Sequence, residues 1–165
     1  MVKPQSHVLV DTNAIIESHR VGCWKTLIHH FKMDTVEKCV EECATGNQRG
    51  FNPVPVDVAA LVNDVKPKKV DQQGLNALTV RYSEAQYLDQ GERHLLAYAL
   101  TLENAFLVCS PDKLCVIAGA KLGILDSFVS LEELAERAGV RAQLRDNFKM
   151  RFMEKVRTDI KLGIL

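Results

Sequence analysis

Four acids in this chain stand where an apolar run ends or a helical pattern begins. Asp11 closes the β-branched run His7-Val8-Leu9-Val10. Glu92 follows Gly91 at the head of a long apolar-faced segment, and Asp112 lies three residues beyond Phe106-Leu107-Val108-Cys109. The fourth belongs to the segment Glu37-Lys38-Cys39-Val40-Glu41-Glu42. Gathering such groups is costly, because two unit charges ~4 Å apart repel by about 4 kcal/mol at an effective dielectric near 20. Three or four together raise one another's pKa values or demand a cation. Oxygen donors without His or Cys select Mg²⁺ or Mn²⁺. Such an ion can activate a water and neutralise a phosphate, so the chemistry expected is metal-assisted phosphodiester hydrolysis.

The helical pattern decides part of the fourth choice. At 100° per residue, with Val36, Cys39, Val40 and Cys43 as the core face, Glu41 points to solvent. Glu37 and Glu42 fall on the two flanks of that face, and periodicity leaves both open. Each acid also has a plain structural use. Asp11 can cap a helix, Asp112 can favour a helix N-terminus, and Glu92 can complete a capping box opened by Asp89. Their joint placement along one edge favours the functional use.

The elements that would position these acids alternate. A strand ending at Val10 precedes a helical pattern whose apolar face is Trp24, Leu27, Ile28 and Phe31. A second strand is expected at Met33 to Val36, then a helix that Gly46 ends as its C-cap. Residues 46–70, with Pro53, Pro55 and Pro67, read as an irregular insertion, either a long loop holding one helical turn from Val56 to Asn63 or a flap over a site. Leu75 to Tyr82 and Asp89 onward read as helices, and Phe106 to Cys109 as a central strand. Ser110 then caps a helix with Pro111 at its first position, running to a stop at Gly123. A last strand over Ile124 to Val129 and a helix capped by Ser130 follow. The pattern predicts a three-layer α/β/α fold with a mainly parallel sheet, whose right-handed crossovers bring the strand C-termini to one edge.

At 165 residues, 47% hydrophobic and 25% charged, the chain has the size and composition of one domain. The formal charge is zero, but Arg137 to Leu165 holds eight Lys/Arg against three Asp/Glu. The preceding 136 residues hold 13 against 18, so an acidic body carries a basic tail. That tail is expected to be an amphipathic helix over 141–165, with Leu144, Phe148, Phe152, Val156 and Ile160 as its stripe, beside a body spanning 1–140. The pentapeptide Lys-Leu-Gly-Ile-Leu occurs at 121–125 and at 161–165 and is too short to mark a repeat. Five cysteines without a CxxC pair read as buried thiols of a reducing compartment. No apolar run approaches the ~18 residues of a membrane span, and no signal peptide is evident, so a soluble cytoplasmic protein is expected.

With these motifs in order, the sequence resembles the PIN domain family of Mg²⁺/Mn²⁺-dependent ribonucleases, which includes toxins of bacterial toxin–antitoxin pairs. VLVDTNAIIE resembles the family's opening strand and acid, LDQGERHLLAYAL its Gly-Glu helix, FLVCSPDKL its later strand and acid, and ILDSFVSLEELA its closing strand and helix. The likeness runs from about Val8 to Leu134. It implies that Asp11, Glu92 and Asp112 hold the metal, that Asn13 and Ser110 orient them, and that Glu42 rather than Glu37 is the second acid. The insertion and the tail exceed the family's compact pattern.

The leading expectation is therefore a metal-dependent endoribonuclease acting through Asp11, Glu42, Glu92 and Asp112, with Lys66, Lys68, Lys69 and the tail arginines on the RNA backbone. Its expected partners are RNA, an antitoxin or other protein docked on the C-terminal helix, and a second copy of the chain. The alternative is a noncatalytic domain of the same fold that acts by binding RNA or a partner. An aspartyl-nucleophile phosphotransferase is disfavoured, since the second Asp it needs two residues after the first is Asn13 here.

Overall fold

A computed structural model describes residues 2–45 and 53–165. Its centre is a three-stranded, all-parallel sheet of β1 (His7–Val10), β2 (Lys32–Asp34) and β3 (Leu107–Cys109), ordered β2-β1-β3. Val8 pairs with Met33 on one side and with Leu107 on the other. Val8, Leu9, Val10, Val108 and Cys109 are no more than 1% exposed. A strand covered on both faces needs no polar alternation, which is why β1 and β3 read as continuous apolar runs.

Around the sheet lie α1 (Thr12–Arg20), α2 (Trp24–His30), α3 (Glu37–Thr45), α4 (Val58–Val65), α5 (Gln72–Arg81), α6 (Gln90–Ala99), α7 (Lys113–Lys121), α8 (Leu131–Arg137) and α9 (Met150–Lys161). The chain runs from central β1 to one edge and then crosses to the other. Right-handed connections made in opposite directions place their helices on opposite faces, giving the expected three-layer α/β/α fold. Among the described residues, no helix is long and apolar enough to cross a membrane.

Several elements differ from the sequence expectation for identifiable reasons. The second strand spans Lys32–Asp34, and Val36 contributes one isolated bridge to Lys68 instead. The segment expected to be mostly irregular contains α4, two turns long and capped by Asp57, whose side chain accepts from the Ala60 N–H. Residues 46–52, including the Gly46 expected as a C-cap, lie outside the described residues. The helix after β3 is capped by Asp112 rather than Ser110 and begins at Lys113, because the Ser110 hydroxyl accepts from the Asp112 N–H. The strand expected over Ile124 to Val129 reduces to a bridge between Phe128 and Val108, since a 3₁₀ turn at Leu125–Ser127 and the Ser130 cap leave no room for a ladder.

The tail is helical only from Met150, not from 141. Buried Glu17 of α1 holds the preceding segment in place. Its carboxylate accepts from the Arg145 N–H at 2.9 Å and from the Arg20 guanidinium at 2.6 and 2.8 Å, while Arg20 also reaches the Gln143 carbonyl at 3.0 Å. Glu132 of α8 caps α9 by accepting the Met150 N–H at 2.7 Å, and the Arg157 guanidinium donates to the Phe128 carbonyl. Leu144, Phe148, Met153 and Val156 are buried, so the apolar stripe packs against the body. Both copies of Lys-Leu-Gly-Ile-Leu terminate a helix. Gly123 (φ +79°) and Gly163 (φ +71°) take the left-handed conformation, and the N–H groups of Ile124 and Ile164 reach back to Gly119 and Asp159. The repeated peptide is a repeated helix stop.

Burial raises the Glu17 carboxyl, but the hydrogen bonds from Arg20 and Arg145 and the charges of both outweigh it and hold it below its ordinary value. A depressed carboxyl stabilises the fold above its unfolded pKa of about 4.3 and loses that contribution as pH falls. Glu17→Ala should therefore destabilise the protein by about 2 kcal/mol near neutrality. Urea titrations should show the deficit shrinking toward pH 3.

Candidate metal centre

The parallel strands end together, and the order β2-β1-β3 reverses direction at β1. In open α/β sheets the crevice at such a reversal is where ligands bind. Asp11 sits at the tip of β1, and Ser110 and Asp112 follow β3 on the other side of the crevice. Asp11 is 1% exposed. Its Oδ1 caps α1 by accepting the Ala14 N–H at 2.7 Å, while the Ser110 hydroxyl accepts the Asp112 N–H at 3.3 Å. Asp11 Oδ2 is buried with no hydrogen-bond partner.

Helix α6 delivers Glu92, 4% exposed, in its first turn. Asp89 caps that helix and accepts the Glu92 N–H at 2.9 Å. Glu92 Oε1, like Asp11 Oδ2, is buried with no partner. Asp112 caps α7 through Oδ1, which accepts from the Leu114 and Cys115 N–H groups at 2.7 and 3.2 Å. The capping uses proposed from sequence are real for Asp11 and Asp112, yet each cap employs Oδ1 alone. Asn13 lies half-buried one residue into α1.

Of the two flanking acids on α3, Glu42 faces this group. Its Oε2 accepts from the Thr12 hydroxyl at 2.6 Å and its Oε1 from the Gly91 N–H at 2.9 Å. Glu37 instead lines a shallow cleft with Lys38, Lys69 and His94, and its N–H donates to the Lys68 carbonyl. Glu41 is exposed and pairs with Lys38 at 2.6 Å.

Electrostatics shows which acids sense one another. Burial, with the charges of Asp89 and Asp112, pushes the Asp11 carboxyl up to about 7 against the opposing influence of the Ser110 hydroxyl and the Ala14 N–H. Burial again, with the charges of Asp112, Asp89 and Asp11, pushes Glu92 up to about 9. Asp89 thus belongs to the cluster, although its sequence context suggested only a cap. Thr12 was likewise hidden, because a Thr at a first helical position signals nothing about a partner 30 residues away.

Among the described residues, no group of three or more His, Cys, Asp or Glu side chains is arranged to hold a metal ion. The donor chemistry nevertheless fits a hard cation. Two unpartnered, buried carboxylate oxygens come from separate elements within a set of four mutually repelling acids, and Mg²⁺ is commonly held by only one or two carboxylates plus waters. The expected basic flank is partly neutralised, since Lys149 and Arg151 both pair with Asp146, and Lys155 pairs with Asp159. Comparison with protein-family models, curated proteins and solved structures gives no match to this chain.

A carboxyl whose folded pKa is raised favours the native state less as pH rises from its unfolded value toward the folded one. Without divalent cations, stability should therefore fall between about pH 4 and pH 9. Glu92→Gln should raise the melting temperature at pH 8 by roughly 5 °C and by much less at pH 5. Differential scanning calorimetry at the two pH values tests both statements. Saturating Mn²⁺ should stabilise the wild type at pH 8, by about 2.7 kcal/mol at 100 times its dissociation constant.

Proposed function

We propose that this chain is a Mg²⁺- or Mn²⁺-dependent endoribonuclease. The observation that carries the reading is the pair of buried, unpartnered oxygens, Asp11 Oδ2 and Glu92 Oε1, among acids clustered at the sheet's crevice. Asp11 and Glu92 would hold the cation directly, with Asp112 and Asp89 adding negative charge around its waters. When bound, the ion would supply an activated water and charge neutralisation at the phosphate. The caps on α1, α6 and α7 fix the chain directions from which the acids project. RNA as substrate rests on the resemblance of the motifs to the PIN family, with the excess positive charge of the tail as support. Within that family, the toxin of a toxin–antitoxin pair is the subclass this reading admits, with an antitoxin as partner.

A second reading is a noncatalytic domain that acts by binding. What supports it is that, among the described residues, no three of the acids are grouped to hold a metal ion. The two readings separate on one substitution. Asn is as good a helix cap as Asp, so Asp11→Asn preserves the α1 cap while removing the charge. It should leave circular dichroism unchanged and lower Mn²⁺-dependent cleavage of single-stranded RNA by more than about 100-fold, beyond the usual cost of losing an outer-shell partner. Wild-type protein that neither binds Mn²⁺ calorimetrically nor cleaves RNA would establish the binding reading instead.

A further inference from the structure

The resemblance gives Glu42 the role of a metal ligand, but its surroundings differ from those of Asp11 and Glu92. Both Glu42 oxygens already accept hydrogen bonds, one from the Thr12 hydroxyl at 2.6 Å and one from the Gly91 N–H at 2.9 Å. Those donors belong to the first turns of the two helices that carry Asp11 and Glu92 at their heads. Thr12 directly follows Asp11 and Gly91 directly precedes Glu92. A third helix, α3, therefore ties the starts of α1 and α6 together through one carboxylate.

The site is shaped for this contact. A methyl group at Gly91 would collide with Glu42 Oε2 and lie 3.0 Å from both Glu42 Cδ and Thr12 Oγ1. Only a residue without Cβ lets the carboxylate reach the α6 backbone. An anion there also meets the positive end of α6 and satisfies an N–H that the helix itself leaves without an acceptor.

We infer that Glu42 is a positioning residue that clamps the starts of α1 and α6, setting the separation of the Asp11 and Glu92 carboxylates, rather than a ligand of the ion. This rests on the metal-site reading for its purpose, but the clamp has its own stability signature. Its recognition signal in sequence is the Gly-Glu pair, in which the glycine makes room for one acid and the glutamate supplies the next.

The test compares Glu42→Gln, Glu42→Ala, Gly91→Ala and Asp11→Asn by thermal melting and Mn²⁺ calorimetry. Gln can still accept from Gly91 and meet the Thr12 hydroxyl, which can turn to accept. A clamp predicts that Glu42→Gln keeps the wild-type melting temperature and binds Mn²⁺ within about threefold, the cost of one charge beyond ligand distance. Glu42→Ala and Gly91→Ala should lower both melting temperature and Mn²⁺ affinity, and Thr12→Val should be non-additive with Glu42→Ala. If Glu42→Gln melts normally but loses Mn²⁺ as severely as Asp11→Asn, Glu42 is a ligand and the inference falls. If the wild type binds no Mn²⁺, the metal reading fails. The melting cycle then decides the clamp alone, with additive Thr12→Val and Glu42→Ala effects overturning it.

Discussion

Everything at this edge of the molecule depends on the cost of holding carboxylates out of water, to which their mutual repulsion adds. Asp11 and Glu92 are nearly inaccessible, and each feels the charges of Asp89 and Asp112. A three-stranded parallel sheet supplies the compulsion, because its crossovers return every strand end to the same edge. The carboxylic acid form or a bound cation relieves the cost. The two unpartnered oxygens are what supports the second solution, the one proposed above.

The surrounding contacts resist that repulsion with modest means. Asp11, Asp89 and Asp112 each spend one oxygen on a helix N-terminus, where the free N–H groups and the helix dipole favour negative charge. Glu42 joins two of those helix starts, and the Ser110 hydroxyl accepts the Asp112 N–H. Helix capping and site assembly are thus one set of interactions rather than competing explanations for the same acids. Far from the crevice, Glu17 performs a comparable task with opposite electrostatics. Its arginine partners neutralise it and fasten the tail segment onto α1.

Short-range signals carried much of the architecture. The β-branched run before Asp11 and the apolar run before Ser110 are strands because their residues are buried on both faces. The helical wheel correctly sent Glu41 to solvent. What periodicity could not supply was distance across the chain. Whether Glu37 or Glu42 faces Asp11 depends on how α3 packs on α6, and a contact between residues 49 positions apart leaves no local pattern. Phe128 failed to extend a fourth strand because a turn and a cap crowd it on both sides. The residues from 141 to 149 failed to continue a helix because Glu17 captures the Arg145 N–H. Asp89 looked like a cap and is one, so only burial and charge coupling reveal its second membership.

The central claim is that Asp11 Oδ2 and Glu92 Oε1 are jointly a cation site while Glu42 stays on the helix starts. Anomalous diffraction at the manganese edge, from crystals grown with Mn²⁺, addresses all three residues at once. The account predicts an anomalous peak bonded to Asp11 and Glu92, with Glu42 still accepting from Thr12 and Gly91. A peak bonded to Glu42, a peak elsewhere on the molecule, or no peak at saturating Mn²⁺ would contradict it.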